Sequence, residues 1–136
     1  MVLHYPTKSL LLMRINKEKL YEAFGELIYV VAMADGEIQD TEVTALKKLV
    51  SEHPLGADIK WSFDYEAKNV TDTMDTYQKV LNTCQAYGPT EDYLLLIDLL
   101  EKVAAASNGV EEKEQAVIND FQADLIARFK EDSTII

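Results

Sequence analysis

The chain has 136 residues, 48% hydrophobic and 27% charged, a balance that fits one soluble domain with a real core. Its 24 acidic residues against 13 basic ones leave a formal net charge of -11, which repels phosphate backbones and anionic lipid surfaces, so no nucleic acid is expected as a partner. The single cysteine, Cys84, excludes an intrachain disulfide, and no apolar run reaches signal-peptide or membrane-spanning length; the expectation is a cytoplasmic protein with no direct membrane insertion.

In chain order, residues 1–15 leave two alternatives, a short helix opened by Pro6 and Thr7 or an extended segment. Asn16 reads as the N-cap of the next helix, whose stripe is Leu20, Phe24, Leu27, Ile28 and Val31. Gly36 ends it, at a place that often needs a positive φ. Gln39 or Asp40 starts a second helix with Val43, Leu46, Leu49 and Val50 inward, closed by Pro54 and Gly56. Residues 57–69 are ambiguous. Trp61, Phe63 and Tyr65 alternate with polar residues like a strand, yet fit equally a short helix whose aromatics plug the core.

Thr71 is the expected cap of the next helix, with Met74, Tyr77, Val80, Leu81 and Cys84 buried. Gly88-Pro89 breaks it, and Thr90 caps a strongly apolar helix from Leu94 to Val103, expected to be central and buried on several sides. A last helix carries Val117, Ile118, Phe121, Leu125, Ile126 and Phe129, and residues 131–136 read as a tail. The sum is an all-α, single-domain helical bundle of five to seven helices spanning 1–136, with no internal boundary.

One pattern occurs twice. Val31-Ala32-Met33-Ala34-Asp35-Gly36-Glu37-Ile38 leads into the acidic start Asp40-Thr41-Glu42. Val103-Ala104-Ala105-Ala106-Ser107-Asn108-Gly109-Val110 leads into Glu111-Glu112-Lys113-Glu114. The copies lie near 27–50 and 100–118, which points to a bundle built from two similar halves.

An ordinary EF-hand is rejected. With Glu42 at the twelfth loop position and Gly36 at the sixth, Val31 and Met33 fall where oxygen ligands are required. What remains is an Asx-Gly corner rimmed by Asp35, Glu37, Asp40 and Glu42 without a basic residue among them. Two readings stand side by side. Acids in a first helical turn complement the helix dipole and need no further role. Alternatively, like charges about 4 Å apart repel by roughly 1 kcal/mol in water, and a divalent cation relieves that repulsion.

These residues resemble the TerB-like family, the helical domain associated with tellurite resistance, which also occurs in membrane-anchored DnaJ-type co-chaperones. Leu27 through Val50 matches the first family motif at nearly every position. Residues 100–118 match the second with Asn108 in place of Asp and one residue missing between Gly109 and Val110. The resemblance implies an all-α fold of two similar halves and a divalent-metal site. Carried over, that site draws on Asp35, Glu37 and Glu42, with Asn108 and Glu111 from the second motif; calcium, magnesium and zinc are the candidate ions. It also implies stress-associated work with a protein partner, and no reaction.

No nucleophile motif, P-loop, Cys-x-x-Cys or His-x-x-x-His spacing is present, so no enzyme is expected. Cys84, on an apolar stripe, reads as core, and so do Trp61, Tyr87 and Tyr93. The expected function is a non-enzymatic, stress-associated module holding a divalent ion at the acidic corners. The alternative is a metal-free adaptor that offers an acidic surface or a groove to a partner.

Overall fold

Six helices account for the chain in a computed structural model that describes residues 5–107 and 111–133. They are α1 (Tyr5–Ala32), α2 (Asp40–Val50), α3 (Gly56–Asn69), α4 (Thr73–Tyr87), α5 (Asp92–Ala105) and α6 (Glu111–Ser133). There is no strand among the described residues, and the bundle is all-α as expected. Gly109 and residues 134–136 of the expected tail lie outside the described residues; the rest of that tail continues α6 to Ser133.

The central helix is α1, not α5. From Leu20 to Ala32 every residue except Glu22 is buried, and the helix packs against α3, α4, α5 and α6. α5 buries Leu96, Leu99, Leu100 and Val103 but leaves Leu94 exposed, so its apolar run has one outward side. Asn16 is not a cap. It lies inside α1, which runs unbroken from Tyr5 because Pro6 falls in the first turn, where no amide partner is needed, and no glycine or second proline interrupts the stretch up to Phe24.

α1 and α3 cross at Gly25. A Cβ there would lie 2.1 Å from both the Ile59 carbonyl oxygen and the Ser62 hydroxyl. The missing side chain therefore sets how closely these helices approach, and Ser62 Oγ donates across the crossing to the Glu22 carbonyl at 2.6 Å.

The ambiguous segment 57–69 is helix α3. Ile59, Ser62, Phe63 and Glu66 recur at helical spacing and face inward, so Phe63 alone of the alternating aromatics enters the core. Trp61 and Tyr65 sit on the opposite side, which corrects the expectation that Trp61 is core. The cap of α4 is Asp72, whose carboxylate accepts from the Asp75 amide at 2.9 Å; Thr71 instead donates its hydroxyl to Glu66. Met74 is exposed, and Thr76 joins Val80, Leu81 and Cys84 on the buried face.

Three tyrosines tie loops to the core. Tyr29 donates to the Thr71 carbonyl at 2.7 Å, Tyr21 to Asp92 Oδ1 at 2.7 Å, and Tyr93 to the Gly88 carbonyl at 2.8 Å. α6 is held to α4 by Ile118, Phe121 and Leu125 in the core and by an outer polar seam. In that seam the Arg128 guanidinium donates to Asn82 at 2.6 Å and Gln78 at 3.0 Å.

Val70, at the C-cap of α3, has φ of 48° and is solvent-exposed. A β-branched residue is strained in this left-handed conformation, and nothing is gained by its burial. Val70→Gly is expected to raise stability by about 0.5–1 kcal/mol in urea unfolding; an unchanged or lower midpoint would contradict this.

Candidate carboxylate-pair site

The turn between α1 and α2 is built as its sequence requires. Gly36 has φ of 102°, its amide donates to the Met33 carbonyl at 2.9 Å, and Asp35 Oδ1 accepts from the Glu37 amide at 3.3 Å. Ile38 then packs against the core and Gln39 caps α2. Glu42, third in α2, closes a capping box: its Oε1 accepts from the Gln39 amide at 3.0 Å.

A capping-box glutamate is normally wet on its other oxygen. Glu42 is fully buried, and among the described residues its Oε2 has no hydrogen-bond partner. The reason is Glu114, from the first turn of α6, which is also fully buried and has neither oxygen partnered among the described residues. The two carboxyl groups face each other between the N-termini of α2 and α6, with Ser107 buried at the end of α5.

Burial pushes both glutamates above the ordinary carboxylate range. For Glu42 the Gln39 amide and the contact with Glu114 pull the other way, and Asp35 adds to the rise. For Glu114 the charge of Glu42 and then of Asp35 add to burial, and its pKa reaches about 8; the Ser107 hydroxyl opposes them. Two buried carboxylates cannot both stay ionised without a counter-charge. The pair needs one shared proton or one cation.

Of the residues expected at a metal site, Glu42 belongs to this pair and Asp35 reaches it through its charge. Glu37 is exposed on the rim. Asn108 and the side chain of Glu111 lie outside the described residues. Glu114 was not in the expected set, although the sequence carries a signal for it. Counted from the glycines, Glu42 and Glu114 fall out of step by one residue. Counted from the lone aliphatics Ile38 and Val110, both glutamates lie four residues on.

The donor chemistry is oxygen only. His53 is engaged elsewhere, its ring stacked on Tyr21 and its Nδ1 accepting from the Leu55 amide at 3.1 Å. Cys84 is buried in the core with its thiol pushed up to about 12 by that burial, the behaviour of an inert packing residue. Among the described residues no group of three or more His, Cys, Asp or Glu is arranged as a ready-made metal cage. The unpartnered atoms are carboxylate oxygens, the donor type that hard cations such as magnesium and calcium prefer.

The family model for the tellurite resistance protein TerB matches residues 21–127. The chain belongs to the TerB family. No curated protein matches it, and no solved structure does. The matched span contains both glutamates of this TerB domain and both corners that carry them. A broad surface depression between α1 and α4 is lined by Asn16, Lys19, Asn82, Thr83, Ala86 and Tyr87, none of them a carboxylate or histidine. The raised carboxyls of the TerB domain are thus sealed between helices, not set in that depression. No described helix is long and apolar enough to cross a membrane.

Proposed function

We propose that this TerB-family domain is a non-enzymatic, cytoplasmic, stress-associated module that takes up a divalent cation between the first turns of α2 and α6. The observation that carries this reading is the meeting of Glu42 and Glu114, both fully buried, with three oxygens that have no hydrogen-bond partner among the described residues. A buried polar atom left unpaired costs about 1–3 kcal/mol, more when charged, so the fold keeps such a pair only with something between. Glu42 and Glu114 would hold the ion, and Asp35 adds its charge to theirs. Glu37, Asn108 and Glu111 remain candidates for the rim of the same site. An all-oxygen set selects magnesium or calcium over zinc.

The ion would supply positive charge where two corners of the bundle meet, and so would stiffen the attachment of α6 to α2. It would not supply a reaction. Nor does the acid pair suit an oxyanion such as tellurite, which the net charge of -11 repels. On this reading any part in tellurite resistance runs through a partner protein and not through direct capture.

The test is a calorimetric titration of chelator-stripped protein with magnesium, calcium and zinc, paired with melting curves. Magnesium or calcium at a hundredfold excess over Kd should add about 2.7 kcal/mol of stability. No heat together with an unchanged Tm sinks the proposal.

The alternative reading, a metal-free adaptor with an acidic docking surface, draws support from the exposed aromatic side chains on α3.

A further inference from the structure

We infer that the outer face of α3, around Trp61 and Tyr65, docks an arginine-bearing amphipathic segment of a basic partner protein. Trp61 is 61% exposed and Tyr65 52% exposed. The two rings lie one helical turn apart, stacked at 5.6 Å with an interplanar angle of 20°. The fold makes no use of them, because the inward face of α3 is already filled by Ile59, Ser62, Phe63 and Glu66.

The exposure is concentrated. Of the six large hydrophobic side chains left exposed among the described residues, four (Trp61, Tyr65, Val70 and Met74) fall on α3 and the corner into α4. Exposed apolar residues grouped this way mark an interaction surface, whereas scattered ones need no explanation.

Charge selects the occupant. Asp58 lies one turn before Trp61 and Asp64 one turn after it, on the same side of the helix, and Asp72 and Asp75 follow on the corner. Lys60 is turned to Asp64, reaching both its oxygens at 2.7 Å, and Lys68 is the other basic residue of the stretch. Aromatic faces beside carboxylates suit a guanidinium, which stacks on the ring while its fork meets an acid. The net charge of -11 disfavours an anionic membrane, a nucleic acid and a second copy of this chain, and favours a basic protein. Nothing in this inference depends on the carboxylate pair.

Trp61 is the only tryptophan in the chain, so its emission reports directly on this face. The experiment titrates the full chain, in chelator throughout, with synthetic amphipathic helical peptides that share a leucine face and carry arginine, lysine or glutamate on the other. The arginine peptide should shift Trp61 emission to the blue and bind most tightly, the lysine peptide less so, and the glutamate peptide not at all, with binding weakened by salt. By calorimetry, Trp61→Ala and Tyr65→Ala should each lose about tenfold or more in affinity while Tm stays unchanged. An emission unmoved by saturating arginine peptide would overturn the inference, as would undiminished, wild-type affinity in both variants. So would a dimer in sedimentation with Trp61 already shielded from quencher. Because chelator is present, failure here leaves the cation reading standing, and failure of that reading leaves this one standing.

Discussion

Glu114→Gln should make the metal-free protein more stable at alkaline pH while abolishing its response to divalent ions. Glutamine has the shape of the protonated acid and donates to Glu42, so it satisfies the pair without a proton or a cation. The folded-state pKa of Glu114 is raised to about 8, from an unfolded value near 4.5. Folding therefore binds a proton across that window. The stability this group contributes is fully present below about 4.5 and is lost as pH climbs through about 8. In chelator, the difference between wild type and Glu114→Gln should grow from acid to alkaline pH in favour of the variant, reaching about 1–3 kcal/mol above pH 8. With magnesium or calcium present the order should reverse, because wild type gains ion binding and the variant does not. A variant that is less stable than wild type in chelator at every pH would show that the two carboxyls are not in conflict.

Gly25→Ala should be severely damaging although it adds a single methyl group. Alanine is the better helix former, and in an exposed helix the exchange would stabilise. Here the added methyl meets the Ile59 carbonyl oxygen and the Ser62 hydroxyl at 2.1 Å, and a backbone oxygen cannot rotate away. α3 must move off α1, opening the contact that carries Ile59 and Phe63. The expected loss is about 3 kcal/mol, which for a domain of this size lowers Tm by roughly 10 °C. Gly36→Ala provides the contrast. Nothing lies within 4 Å of its added Cβ, and its cost comes from φ of 102° alone, about 1 kcal/mol. Equal losses at the two glycines would mean that the α1–α3 crossing is not set by Gly25.

The bundle was largely legible in the sequence because its helices obey local rules. Leu20 to Val31, Leu46 to Val50 and Ile118 to Leu125 repeat at helical spacing, and Gly36 stands where a positive φ is needed. The errors arise where two patterns share the same letters. Trp61, Phe63 and Tyr65 alternate as a strand would, yet Ile59, Phe63 and Glu66 also fit one helical face, and only the approach of α1 at Gly25 decides between them. Asn16 is a good cap that is never used, since the helix before it had no reason to stop.

The centrality of α1 is a tertiary property. α5 is the more apolar run, but α1 is the helix against which α3, α4, α5 and α6 all pack. The candidate site was half legible. Asp35 and Glu42 belong to an acid cluster visible in one segment, whereas Glu114 is marked in the sequence only by its register from Val110, and its meeting with Glu42 is a tertiary contact. The exposed aromatics of α3 were hidden by the general rule that such residues are core, a rule that holds only on the face a neighbour covers.

The most direct test is anomalous diffraction from crystals grown with manganese, a hard divalent ion that scatters strongly at its absorption edge. A single peak between the side chains of Glu42 and Glu114 is the expected result. Peaks confined to other surface acids, with the two carboxyls in contact and no density between them, would show that the pair is closed by a proton and holds no cation.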